Sequence, residues 1–103
     1  MRNLFPYEKE VTLPDFKFCE DDYIDEIADY IIATYSQHYS KKKFQASEFI
    51  YDAGHGTGFN MGNVMKYAQR YGNKGNDDDH RKDLMKVIHY AILQLYVHDH
   101  LED

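Results

Sequence analysis

The chain has 103 residues, a net charge of −6 and 43% hydrophobic residues, so it has the length of one domain and enough apolar mass for a core. The acidic balance excludes non-specific binding to duplex nucleic acid, which needs a basic surface, although a local basic patch can still hold one small anion. No run of about 18 apolar residues predicts a membrane span, the opening MRNLFPYEKE lacks the apolar core of a signal peptide, and the lone Cys19 allows no intramolecular disulfide and fits a reducing cytoplasm.

Residues 1–20 hold both prolines, Pro6 and Pro14, and scattered apolar residues: Leu4, Phe5, Val11, Leu13, Phe16 and Phe18. They read as an extended arm, with room for one short strand or turn, packed on the domain or on a neighbouring subunit. Asp21 and Asp22 then open a helix, because acidic groups at a first turn meet free amides and the positive end of the dipole. Ile24, Ile27, Ala28, Ile31 and Tyr35 follow at helical spacing, with Asp25, Glu26 and Asp29 on the far side. This helix is expected to end near Tyr39 or Ser40. His38 falls on its apolar side, as a packed core residue or as a ligand-contacting group.

Lys41, Lys42 and Lys43 form a short basic run of the kind that is usually solvated. Ser47 is placed to cap a short helix that turns Phe49 and Ile50 inward. Gly54-His55-Gly56-Thr57-Gly58 follows. Three glycines in five residues permit close backbone approach to a ligand, or simply a flexible connector. The run completes neither the GxxxxGK[ST] nor the GxGxxG phosphate-binding pattern.

From Phe59 to Leu95 two helix-period segments flank a Gly72-Asn73-Lys74-Gly75-Asn76 turn. At roughly 100° per residue, Met61, Val64, Met65 and Ala68 share one side of the first, and Asn63, Lys66, Tyr67 and Arg70 the other. In the second, Leu84, Ile88, Ala91 and Leu95 share one side, and Asp83, Lys86 and Tyr90 another. Both polar lines keep the spacing i, i+3, i+7. They are either a site or the solvated face of an amphipathic hairpin. Asn76-Asp77-Asp78-Asp79, at a helix start, reads as a capping run rather than a metal site. His98 and His100 are two residues apart, share no helix face, and carry no metal expectation. No nucleophile–base pair and no internal repeat is visible.

These elements predict an all-α fold: three main helices plus a short one, spanning residues 21–103 behind the arm of residues 1–20. The expected core joins the Ile24–Tyr35 stripe to the apolar stripes of the last two helices. Ten tyrosines and an apolar arm around so few helices predict a homo-oligomer.

Across residues 37–95 the chain resembles a tailed-phage family. The residues that carry the resemblance are His38-Tyr39, Glu48-Phe49-Ile50, the run from Phe59 to Arg70, Lys74-Gly75, and the run from Asp83 to Tyr90. Members of that family carry a His-Tyr pair, a Gly-Asn-x-x-Lys-Tyr-x-x-Arg helix and an Asp-Leu-x-Lys-Ala-x-x-Tyr helix. They are mostly of unassigned function and are often called nucleotide kinase-like after one deoxynucleoside monophosphate kinase. This chain has Val87 where the family usually has Ala, a packing change. The resemblance implies a bacteriophage protein acting on nucleotides in the cytoplasm of the infected host cell, with His38, Tyr39 and the two polar lines at the nucleotide.

The chemistry of those side chains suits a nucleotide. Phosphate needs fixed cations and hydrogen-bond donors. Lys66 and Arg70 stand one turn apart, Lys74 follows in the turn, and Lys86 can face them from the next helix. Arg70 offers a bidentate fork. Asn63 can bond a base edge or a sugar hydroxyl, and Tyr67 and Tyr90 can stack on a base. Asp83 has two readings: a catalytic carboxylate that holds Mg²⁺ with the nucleotide or accepts a proton, or a structural partner of Lys66 or Arg70. Phosphoryl transfer is mainly positioning and charge neutralisation, so a nucleotide kinase without a P-loop is physically sound. The alternatives are a module that sequesters a nucleotide second messenger of host immunity without turnover, and an acidic inhibitor of a host factor. An all-α nucleotide pyrophosphatase needs clustered carboxylates on facing helices, and only Asp83 is so placed.

Overall fold

A computed structural model of the chain describes residues 13–39 and 42–101, with side chains described outside residues 38–45. The elements are α1 (Glu20–Thr34), continued by a π-helical turn (Tyr35–Tyr39), then α2 (Lys42–Asp52), α3 (Gly56–Arg70) and α4 (Asp77–His100). Among the described residues there is no strand, and the helices pack as a small bundle. The short helix α2 begins well before Ser47, which lies inside it rather than at its cap. The part of the arm between residues 1 and 12 lies outside the described residues; Leu13 to Cys19 are extended or turn.

Local chemistry accounts for the boundaries. Glu20, Asp21 and Asp22 fill the first turn of α1, and the Phe18 amide donates to Glu20 Oε1 at 3.0 Å. The glycine run is split: Gly54 takes φ 84° and closes the turn after α2, while Gly56 and Gly58 already belong to α3. Asn76 and Asp79 form a reciprocal capping box, with each side chain accepting from the other's amide at 3.1 and 3.0 Å. Gly75, at φ 82°, packs so closely on Asp79 that a Cβ there would collide with it. The acidic run is thus a cap, and no metal-holding cluster of His, Cys, Asp and Glu occurs among the described residues.

Helices α3 and α4 form an antiparallel hairpin, and α1 lies across α4. The core differs from the expected one. The buried apolar residues are Ile27 of α1 and Met85 and Val97 of α4, none from the two apolar stripes of the hairpin. Met61, Met65, Leu84, Ile88 and Leu95 are exposed, Met65 at 66% and Leu95 at 62%. On α1, Ile24 and Tyr35 are exposed while Asp25, expected on the outer side, is buried. Phe49, expected to turn inward, is also exposed. The physical reason is that α3 and α4 meet through their polar lines. Periodicity shows which residues share a side, and not which side meets a neighbour.

Asn60 lies in the seam with no exposed surface. It accepts from Tyr51 Oη at 3.1 Å and donates to Gln94 Oε1 at 3.3 Å; Gln94 in turn donates to Thr57 Oγ1 at 2.9 Å. This network ties α2, α3 and α4 at one point. Truncating Asn60 removes the partner of two half-buried groups, Tyr51 and Gln94, and empties a buried position, so Asn60→Ala should lower unfolding free energy by about 1–3 kcal/mol, measured by urea denaturation. A loss under about 0.5 kcal/mol, the range of an ordinary surface change, would show the network to be dispensable.

Candidate functional site

The seam fixes which residues stand on each side of the hairpin. Asn60 faces Gln94, Tyr67 faces Tyr90, and Arg70 faces Asp83. Measured from these pairs at about 100° per residue, Met61, Met65, Ala68, Leu84, Ile88 and Leu95 all turn one way. Lys66, Arg70 and Lys86 turn the other way, to the side on which α1 packs through Tyr30 against His89.

Arg70 and Asp83 form the strongest polar contact of the seam. Arg70 Nη2 donates to Asp83 Oδ1 at 2.7 Å, and Nε reaches Oδ1 and Oδ2 at 3.1 and 3.3 Å. Asp83 has no exposed surface, while the Arg70 side chain keeps about a third of its own. The Arg70 hydrogen bonds hold the Asp83 carboxyl below its ordinary range against the opposing effect of desolvation, and the carboxylate holds Arg70 above its ordinary value. Of the two readings of Asp83, this geometry matches the structural partner of Arg70.

Tyr67 is the centre of the exposed part. Lys66 Nζ, Arg70 Cζ and Lys86 Nζ lie 4.9, 5.3 and 5.5 Å from the centroid of its ring. Three cations around one ring lower their mutual repulsion through its negative face. Tyr90 lies parallel to Tyr67, with centroids 6.1 Å apart and an interplanar angle of 10°, and Phe59 meets Tyr90 edge-on at 6.0 Å. Burial raises the Tyr90 hydroxyl above its ordinary value. Asn63 is half-buried and returns its amide to Phe59 O at 2.9 Å within its own helix. Lys74 stands exposed in the turn, and no ion pair or hydrogen bond joins it to the cluster among the described residues. The backbones of His38 and Tyr39 end the π-helical turn; their side chains lie outside the described residues.

Thus the structure brings together Lys66, Tyr67, Arg70, Asp83, Lys86 and Tyr90. Sequence reasoning missed Asn60, Gln94 and Tyr51. Asn60 was within reach, because it continues the line of Asn63 and Tyr67 by one turn toward the N-terminus. Gln94 continues the line of Tyr90 on α4 by one turn toward the C-terminus. Phe59 also borders a cleft of about 520 Å³ lined by Ile50, Gly54, His55, Thr57 and Gly58, which belongs to the glycine run.

A family model described as a protein of unknown function, DUF3310, matches residues 33–92, from the end of α1 through most of α4. The chain belongs to the DUF3310 family. The DUF3310 match takes in the whole Tyr67 cluster and the Arg70–Asp83 pair. Comparisons with curated proteins and with solved structures find no match.

The Arg70–Asp83 pair has a pH signature. A carboxyl held below its ordinary value stabilises the fold above that value, and the contribution is lost as pH falls through the depressed one. Stability should therefore decline as pH drops below about 4. Asp83→Asn should be less stable at neutral pH and show a shallower decline, with Glu26, which Arg81 holds low in the same way, leaving a remainder. Thermal melts across pH 2–7 check this, as an order-of-magnitude window around carboxyl titration; parallel wild-type and variant curves would detach Asp83 from acid sensitivity.

Proposed function

We propose that the DUF3310 chain binds a nucleotide on the polar side of the hairpin, with phosphate at Lys66 and Lys86 and the Tyr67–Tyr90 pair beside the base. The observation that carries this reading is the gathering of three cations around Tyr67, next to a second parallel ring, in a chain of net charge −6. Such a cluster suits a ligand that joins an anion to a flat ring. The neighbouring cleft at Phe59 has a size in the range of small-molecule sites. The phage resemblance supports the same reading, and implies the cytoplasm of the infected host cell as its place; no described helix is long and apolar enough to cross a membrane.

Within this reading, Arg70 is a positioning residue that gives its fork to Asp83 while its guanidinium carbon stays 5.3 Å from the Tyr67 ring. Asp83 sets Arg70 in place. A nucleoside monophosphate kinase is the form that the resemblance implies. The closure of Asp83 on Arg70 favours the second form, in which the nucleotide is held without turnover, as for sequestering a host messenger. Mg²⁺ fits as a companion of the ligand's phosphates rather than a resident ion, because the side chains gathered at the cluster are cations.

Calorimetry and a product assay over a panel of nucleotides, on wild type and Lys66→Ala, test the proposal. Lys66 is exposed and holds no buried partner, so its loss leaves the fold intact. Lys66→Ala should weaken the preferred nucleotide about tenfold, near 1.4 kcal/mol. Equal affinity in the two proteins, or no binding by wild type, would overturn the reading. Arg70→Ala should lower affinity and stability together, since it strands a buried carboxylate. Product formation by wild type would select the kinase form, and tight binding without product the sequestering one.

A further inference from the structure

Another cleft, of about 540 Å³, opens where the end of α1 meets α2 and the C-terminal half of α4, and it shares no lining residue with the cation cluster. One wall is a face of α2: Ser47, Glu48, Tyr51 and Asp52 recur at helical spacing and all line it. Ile92, Leu93 and Tyr96 do the same from α4, and Tyr35 closes the cleft from the π-helical turn. The lining therefore combines three phenol rings, two carboxylates and an aliphatic patch. Its only charged groups are the two carboxylates, and no described lysine or arginine pairs with either. Tyr51 gives its hydroxyl to Asn60 at 3.1 Å, so it offers the cleft a ring rather than a donor. Tyr96 is stacked on one face by His100, with centroids 4.5 Å apart, and still keeps about half of its surface in water.

We propose that this cleft binds an aliphatic polyamine, with its ammonium groups at Glu48 and Asp52 and its methylene chain between the Tyr35, Tyr51 and Tyr96 rings and the aliphatic patch. Carboxylates and the negative faces of phenol rings both attract a cation. Glu48 and Asp52 are acceptors without a donor beside them, so the cation that suits them carries N–H groups, as a primary or secondary ammonium does and a quaternary one does not. The two carboxylates stand one turn apart on α2, which favours a ligand with more than one charge. The volume falls in the range of small-molecule sites and is far larger than one ammonium group requires. Between its charges a polyamine is a bare alkyl chain, and Ile92 and Leu93 supply the surface on which such a chain loses water. A resident metal ion fits less well, because no group of three potential ligands among His, Cys, Asp and Glu occurs among the described residues. The inference is independent of the nucleotide reading: the two sites have opposite charge and no residue in common.

Calorimetry of the full chain with spermidine, at near-physiological ionic strength, tests it. Wild type should bind with one-to-one stoichiometry. Glu48→Gln and Asp52→Asn, both at exposed positions, should each weaken binding about fivefold with unchanged helical circular dichroism. Tyr96→Leu keeps apolar bulk but removes the ring, and should also weaken it. An acidic chain attracts any polyamine diffusely, so a control removes the same charge elsewhere: Asp77→Asn with Asp78→Asn, in the first turn of α4, should leave the affinity almost unchanged. Tetramethylammonium, which has no N–H donor, should bind far more weakly than spermidine. Absence of binding by wild type, an equal loss in the Asp77 and Asp78 control, full affinity in both Glu48→Gln and Asp52→Asn, or tetramethylammonium bound as tightly as spermidine would each overturn the proposal.

Discussion

The fold depends on one buried ion pair in the seam between two helices. A carboxylate without exposed surface is costly unless a cation and its hydrogen bonds accompany it. Asp83 meets that condition only where Arg70 lies opposite, so the pair fixes how far along α4 the helix α3 sits. Asn60 and Gln94 repeat the condition about three turns away. Two polar fixings at the ends of a seam leave no sliding freedom between them. Tyr67 and Tyr90 are then brought parallel, and Lys66 and Lys86 are brought to the same ring, as consequences of a register set elsewhere.

This arrangement separates the two sides of the hairpin by chemistry. The seam consumes hydrogen-bonding groups that would ordinarily face water. The aliphatic groups that would ordinarily form the seam are displaced to a surface, and the basic residues collect on the remaining side. A local positive site in an acidic chain follows from this division. Lys66, Arg70 and Lys86 sit at one ring, while Asp77, Asp78 and Asp79 fill the first turn of α4 and Asp83 and Glu26 are held by arginines.

Much of the fold was legible in the sequence because its cues are local. Acidic first turns marked α1 and α4, the Gly72–Asn76 turn marked the hairpin, and the two lines spaced i, i+3, i+7 marked the residues that meet around Tyr67. The Asn76–Asp79 cap was readable for the same reason. The core was not. Met61, Met65, Leu84 and Leu95 show helical periodicity as clear as that of any buried stripe, and periodicity alone does not reveal which side meets a neighbouring helix. For Asp83 the sequence left two readings, a catalytic carboxylate or a structural partner of Lys66 or Arg70, and the choice of Arg70 depends on a contact thirteen residues away across a turn. Ser47 was misplaced because α2 starts at Lys42, and Phe49 because the spacing of apolar residues does not say which side of a helix is covered.

The attachment of α1 has a dynamic consequence. It meets α4 through the Glu26–Arg81 pair, which is exposed and screened by water, and through the edge of Tyr30 on His89, and its own buried apolar contribution to the core is Ile27. The hairpin is fixed toward both ends by the buried groups Asn60 and Asp83. Opening free energies therefore differ between the two parts, and the first cooperative unit to detach is α1 with its π-helical turn. Amide hydrogens of α1 are then expected to exchange faster than those of α3 and α4. Beneath α1 lie Lys86, His89 and Tyr90, around a cavity of about 20 Å³, room for a single water. Each excursion of α1 thus bares one flank of the basic cluster without disturbing the register that assembles it.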